Sequence, residues 1–383
     1  MNIAVLGYGV VGSAVVKRIE TDQQHSLAAV LVLPSQVDRH PKAIDDYSRI
    51  LNNPDIDIVI EVLNGVYPAY DYVSLALKAG KHVISSNKSL LIAKGLELNN
   101  LAHENRCALR FSAACGGGIP ILPELYKLKA EGLLSINAIL NGTTNYILDQ
   151  METEHSQFND ALAQAKVLGY AEQDPSDDLN GKDSGRKLIL ALAVSQEKWI
   201  YEADILREGI ESLLATDFEM FKQLNMICRL NAQIMIDKDA LSISVLPTLL
   251  KPSSFQATFH RNENGILFKT KKDCYYLRGY GAGGEPTSLN IINDIKAITD
   301  NDYNLFPTQL NPVKINTQTI LKRFYIQSSQ ALSKIEAISH RHWQTKTYFY
   351  LTNLSDLKSI LNQVSEYRSL GIHIGLCAIE GEL

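Results

Sequence analysis

The stretch NIAVLGYGVVGSAVVKRI, residues 2–19, sets a short apolar run against a glycine-rich turn and then a helical pattern. Gly7, Gly9 and Gly12 stand in G-x-G-x-x-G spacing. The reason for that spacing is steric. The first glycine permits a tight turn, the second lets backbone approach a pyrophosphate, and the third lets the helix pack closely on the strand. The helix N-terminus then presents N–H groups and a positive dipole end to phosphates. A glycine turn alone also merely joins strand to helix. Here the strand before it, the helix after it and further βα alternation downstream supply the context the pattern requires. The stretch predicts a dinucleotide site.

Working outward, apolar runs at 27–33, 56–62, 82–85 and 108–112 alternate with helical patterns at 67–79 and 89–105. Such alternation implies βαβ units and an α/β fold, a Rossmann-type doubly wound parallel sheet. Beyond residue 132 the texture changes: a strand at 135–140, a polar NGTTN turn, then helices to about residue 230. Further strand-like runs fall at 241–246 and 274–278. The tail reads as strand 322–327, helix 331–338, strand 345–352, helix 357–367 and strand 373–379. The expected organisation is therefore a dinucleotide-binding domain at 1–132, completed by 279–305, a central α+β substrate and dimerisation domain at 133–278, and a small α+β unit at 320–383.

Composition narrows the classes. The 383 residues are 45% hydrophobic and 21% charged, enough for a large core and not a disordered chain. Thirty-seven basic against forty-two acidic residues leave a net charge of −5, no footprint for nucleic acid or an anionic membrane. No apolar run reaches the length of a membrane span, and no charged segment followed by an apolar one opens the chain as a signal peptide would. Cys107, Cys115, Cys228, Cys274 and Cys377 are odd in number and never form CxxC, which predicts reduced thiols in a cytoplasmic protein. The nine histidines lack metal-ligand spacing, with His340 and His342 merely flanking an arginine. The seventeen tyrosines are not interleaved with basic clusters.

The second strand ends Val32-Leu33-Pro34-Ser35, without the acidic residue that binds a ribose 2′-OH. Arg39, His40 and Lys42 lie just beyond, either as receivers of a 2′-phosphate or as a solvated loop. NADP is favoured over NAD on this ground.

The densest chemistry lies at 169–187, where Glu172, Asp174, Asp177, Asp178 and Asp183 precede an apolar helix. Ser176, Asp178, Asn180 and Gly181 imitate the start of a calcium loop, but its closing glutamate position holds Lys187. Helix capping accounts for one or two acids rather than five. Asp183 and Lys187, four apart, share a helix face. A lysine among carboxylates can hold a small amino acid's charges or donate a proton.

With these residues in view the chain resembles homoserine dehydrogenase. The resemblance is carried by GYAEQDPSDDLNGKDSGRKLILA at 169–191, Ser86-Asn87-Lys88, Gly116-Gly-Gly-Ile-Pro120, Asn141-Gly-Thr-Thr-Asn-Tyr146 and GYGAGGEPTS at 279–288. It implies NAD(P)-dependent interconversion of homoserine and aspartate semialdehyde, in threonine, methionine and isoleucine biosynthesis, by a homodimer. Lys187 is implied as proton donor with Asp183 beside it, and Lys88 at the cofactor–substrate junction. Glu172, Asp178, Tyr170 and Thr144 are the implied substrate residues. Gly7, Gly9, Val10, Val11, Gly12, Arg39, Gly281 and Gly283 are the implied cofactor residues. Two lysines at one site would depress each other's pKa from the free value near 10.4.

The resemblance further implies a monovalent cation such as Na+, held by the backbone carbonyls of Cys115, Gly117 and Ile119 together with an acidic residue. This chain has Ser112 where that acid stands, which weakens or abolishes the site. The tail resembles a degenerate ACT regulatory module without its glycine-rich ligand turn; a packing or oligomerisation unit is the plain alternative. A thioester-forming semialdehyde dehydrogenase would need a nucleophilic cysteine with a histidine base; Gly142 precedes the TTN, and Cys115 lies in a glycine loop. A generic sugar or imine oxidoreductase explains the glycine turn but not the acids. A non-catalytic dinucleotide- and amino-acid-binding regulator is the reading from a different class, opposed by the presence of Lys88, Glu172 and Lys187.

Overall fold

The computed structural model describes residues 1–237, 240–303, 305, 310–313, 320–345 and 347–381. The chain divides into two compact units. One comprises Met1–Ala130, Ile189–Trp199 and Gly279–Pro312; the other comprises Glu131–Leu188, Ile200–Arg278 and Val313–Leu383.

In the first unit β1 (Asn2–Leu6), β2 (Ser26–Leu31), β3 (Ala43–Ile44), β4 (Ile58–Glu61), β5 (His82–Ser85) and β6 (Leu109–Arg110) form a parallel sheet in the order β3-β2-β1-β4-β5-β6. Its helices are α1 (Val10–Thr21), α2 (Ala69–Lys78), α3 (Lys88–Glu104) and α4 (Ile121–Lys127), joined by a return helix, Gly284–Thr299. Strands covered on both faces need continuous apolar runs, and Ile3, Val5, Ile58, Ile60 and Ile84 are fully buried. The α1 stripe Gly12, Val15, Val16 and Ile19 faces this core, as do Ile291, Ile295 and Ile298 of the return helix. Each buried Val, Leu or Ile adds roughly 1.5–3 kcal/mol. The sheet order reverses between β1 and β4, and a ligand crevice opens beyond the strand ends at such a point.

In the second unit β7 (Leu133–Ile139) leads into α5 (Gly142–Thr153), α6 (Phe158–Val167), α7 (Lys182–Gln196), whose residues from Ile189 onward are counted with the first unit, and α8 (Ala215–Gln223). β8 (Ile227–Asp237) and β9 (Ala240–Leu250) pair antiparallel along their whole length, Ile227 opposite Leu250 and Asp237 opposite Ala240. β10 (Glu263–Thr270) and β11 (Cys274–Tyr280) follow, then β12 (Leu321–Ser328), β13 (Ser339–Gln344), β14 (Tyr348–Thr352), α9 (Leu357–Ser369) and β15 (Ile374–Ile379). The strand order is β11-β10-β7-β8-β9-β15-β12-β14-β13, so the tail strands continue the central sheet. β15 makes the join, parallel to β9 and antiparallel to β12. The residues of α7 from Leu188 to Val194 are buried on every side, which explains their unbroken apolar run.

Two expectations are corrected here. The helical texture ends before residue 227, because Ile227–Asp237 is a strand whose fully buried Arg229 and nearly buried Asn231 disguise its inward face. The tail helix expected at 331–338 shrinks to the single turn Ser333–Glu336, since β13 starts at Ser339.

Candidate active site

The glycine turn of the first unit is shaped by contact. Gly7 takes φ 105°, and its N–H donates to Leu31 O at 3.0 Å. A Cβ on Gly12 would lie 2.1 Å from Gly7 O, so α1 packs against the turn at a distance only glycine allows. A Cβ on Gly9 would meet nothing within 4 Å. Gly9 caps α1 with no side-chain acceptor and no acid in the first turn, and Val10 is 75% exposed. The open side of Gly9, the uncapped helix N-terminus and the β1/β4 reversal together fit a dinucleotide's pyrophosphate. The return segment closes on the same turn: a Cβ on Gly284 would lie 2.4 Å from Val10 O, and Gly283 takes φ 110°.

At the end of β4 sits a fully buried carboxylate that sequence reading passed over. Glu61 accepts from Ser85 Oγ at 2.5 Å, Leu63 N at 2.8 Å and Asn87 Nδ2 at 3.2 Å. Burial pushes its carboxyl up. Asn87 in turn caps α3, accepting from Leu90 N at 3.0 Å, and Lys88 is the first residue of that helix. Glu61 thus fixes the turn that carries Lys88. A charged residue inside the otherwise apolar run Ile-Val-Ile-Glu-Val was the available signal.

Of the three cations after β2, Lys42 Nζ donates to Leu27 O at 2.6 Å, and His40 Nε2 lies 3.1 Å from Glu20 Oε1. Arg39 stays exposed at the end of the 3-10 turn Pro34–Arg39. The loop expected to hold a cation is also filled. Asn290 Nδ2 donates to Gly117 O at 2.5 Å and to Ile119 O at 3.1 Å, and Ser112 is bound to Asp294. These residues do not fit a cation, and no cluster of acids, histidines or cysteines among the described residues does.

In the second unit Asn141 organises the polar site. Its Oδ1 caps α5 by accepting from Thr144 N at 2.9 Å. Its Nδ2 donates to Asp178 Oδ1 at 2.6 Å and Asp183 Oδ2 at 3.0 Å. Thr143 Oγ1 donates to Tyr170 O at 2.5 Å and lies 3.3 Å from Asp178 Oδ2. Lys187, 6% exposed, extends its ammonium to Asp183 Oδ2 at 2.7 Å and donates to Leu140 O at 2.5 Å. Burial and the charge of Asp183 push the Asp178 carboxyl up.

Only two of the five acids enter this cluster. Asp174 caps the turn at Ser176 N, at 3.1 Å, and Asp177 pairs with Arg186 at 2.7 Å. Glu172 is exposed, Tyr170 is half-buried with its ring 5.0 Å from Tyr146, and Thr144 turns its hydroxyl back to Asn141 Oδ1 at 3.0 Å. Asn141 and Thr143, absent from the expected site, were visible only as parts of the NGTTN motif. What the cluster can do is hold an ammonium against two carboxylates while a buried lysine faces the same polar group.

Two family models match, one for homoserine dehydrogenase over residues 120–295 and one for its NAD-binding domain over residues 7–112. The homoserine dehydrogenase of Bacillus subtilis is 32% identical over 319 residues, covering 79% of this chain and 73% of its own. This chain belongs to the homoserine dehydrogenase family. The Neisseria gonorrhoeae homoserine dehydrogenase is 31% identical over 354 residues, 87% of this chain and 81% of its own. Among solved structures, the Staphylococcus aureus homoserine dehydrogenase at pH 7.5 superposes with TM-score 0.76 and 28% identity over the whole of both chains, covering 100% of each. A hyperthermophilic archaeal homoserine dehydrogenase in complex with NADPH gives TM-score 0.66 and 26% identity, covering 79% of this chain and 99% of its own. The Rossmann-type domain and the family's oxidoreductase class therefore stand together.

Proposed function

We propose that this chain reversibly reduces L-aspartate 4-semialdehyde to L-homoserine, with Lys187 giving the proton to the nascent alkoxide. When bound, the nicotinamide cofactor supplies the hydride. The observation that carries the reading is the buried ammonium of Lys187, held by Asp183 Oδ2 at 2.7 Å and Leu140 O at 2.5 Å. Both contacts orient a proton that must travel to one oxygen. The paired carboxylates of Asp178 and Asp183, aligned by Asn141, suit the substrate's ammonium. Glu172 and Tyr170 contribute from the more exposed side, while Thr144 holds the cap that aims Asn141. Lys88, placed by Glu61 through Asn87, serves the cofactor side, with Gly7, Gly9, Val10, Val11 and Gly12 taking the pyrophosphate and Gly281 and Gly283 closing the return segment.

The exposed Arg39 and the lack of an acid at the end of the second strand, Val32-Leu33-Pro34-Ser35, support NADP over NAD. By resemblance the enzyme is a cytoplasmic homodimer in threonine, methionine and isoleucine biosynthesis; no described helix is long and apolar enough to cross a membrane. A non-catalytic regulator of the same fold is not favoured, given the intact Lys187–Asp183 pair.

The test is Lys187→Ala. General acid catalysis contributes 10²–10⁴-fold, so kcat for reduction falls by about that factor while NADPH affinity holds. Lys187→Arg does not restore it, because a guanidinium keeps its proton. A folded Ala variant with kcat within about threefold of the parent, under 1 kcal/mol, contradicts the assignment.

A further inference from the structure

The loop at 115–119 is built too tightly for side chains. A Cβ on Gly117 would lie 2.5 Å from the Gly281 carbonyl, and one on Gly118 would lie 2.9 Å from Pro286 Cβ. Gly116 and Gly117 take φ of 85° and 55°. A buried turn of this kind leaves carbonyl oxygens that need a partner. Gly116 O accepts from Ile119 N and Ile119 O from Ile121 N, each at 2.8 Å; a further partner is a side chain, Asn290, on the return helix and 1% exposed. Its Nδ2 reaches Gly117 O at 2.5 Å and Ile119 O at 3.1 Å. One amide NH2 has two hydrogens, one for each carbonyl. A cation coordinating both oxygens would have to sit where that nitrogen sits.

Charge argues the same way. Ser112, fully buried, is neutral. Asp294, one turn beyond Asn290, is spent on Arg110 Nε at 2.8 Å, Ser112 N at 2.8 Å and Ser112 Oγ at 2.6 Å. The local carboxylate is thus already balanced by a guanidinium, and the loop offers a cation neither room nor net negative charge.

We propose that the Asn290 amide stands in for a monovalent cation in this chain, bracing the 115–119 loop from within, so that folding and turnover need neither Na+ nor K+. Asn290 is a positioning residue: it touches the loop, not the reacting atoms.

The test compares tetramethylammonium chloride with NaCl and KCl at equal ionic strength, reading heat unfolding of the cofactor-free protein and, separately, turnover. The parent should melt within about 1 °C and turn over within about twofold in all three salts, since no ion binds the folded state selectively. Asn290→Ala removes the side-chain donor to buried Gly117 O and leaves Ile119 O only the bond from Ile121 N at 2.8 Å, and it should lower the melting temperature by roughly 3–8 °C. Asn290→Asp sets a carboxylate against those carbonyls, and saturable recovery of its stability by Na+ or K+ is expected. A saturable rise of the parent's melting temperature with Na+ or K+ overturns the proposal, as does an Ala variant that melts like the parent. The parent comparison decides the matter even where a variant does not fold. Because unfolding is read without cofactor or substrate, failure of the dehydrogenase reading would leave this result unaffected.

Discussion

Gly9 and Gly12 share one turn but answer to different constraints. At Gly12 a methyl group would stand 2.1 Å from Gly7 O, so backbone must move. Overpacking of this kind costs about 1–3 kcal/mol, and Gly12→Ala should lower the melting temperature by roughly 2–10 °C. At Gly9 the methyl meets no protein atom within 4 Å. Gly9→Ala should melt no more than about 3 °C below the parent yet raise KM for NADPH at least tenfold, about 1.4 kcal/mol. Unchanged KM in Gly9→Ala would remove the pyrophosphate from this turn. The site itself was only partly legible. Lys187 and Asp183 announce themselves by their four-residue spacing. The division of the five acids does not, because it depends on where Arg186 and Asn141 come to lie. Glu61 is legible only in hindsight, as a charge in a strand that buries both faces.

Helix α8 and strand β12 meet through a buried polar pair rather than through packing alone. Asp217 accepts from Tyr325 OH at 2.7 Å and from Leu214 N at 2.8 Å, and burial pushes its carboxyl up to about 6. A carboxyl raised above its unfolded value of 3.8 is favoured in the fold while protonated. Its contribution is therefore complete below about pH 4 and is lost as pH rises to about 6, about 3 kcal/mol in all. Asp217→Asn should flatten that part of the stability–pH curve in chemical denaturation; an unchanged slope would assign the dependence to another group. Strands of the first unit can be read from sequence because both faces are apolar, as at Ile58–Glu61. β3 escapes notice with two residues, and β13 because its Ser-His-Arg-His-Trp-Gln is half exposed and polar. β10 escapes because Glu-Asn-Gly at its start reads as a turn, although Asn264 is fully buried.

At the scale of the molecule, the two units divide the chemistry. The first carries the glycine turn and the Lys88 helix; the second carries Lys187 and the paired carboxylates. The tail extends the second unit's sheet through β15 and β12, with Phe324, Ile326, Leu357, Ile360 and Leu376 in one buried cluster. Such integration is invisible to a reading by segment, because the join is a parallel pairing between strands more than a hundred residues apart in sequence. The central claim is the reaction, and one measurement reaches it directly: NADPH oxidation by the purified full chain, with and without L-aspartate 4-semialdehyde, followed by absorbance. Oxidation should depend on the semialdehyde and run backwards with L-homoserine and NADP+. A folded protein that turns over neither pair, with NADH and NAD+ also inactive, would contradict it.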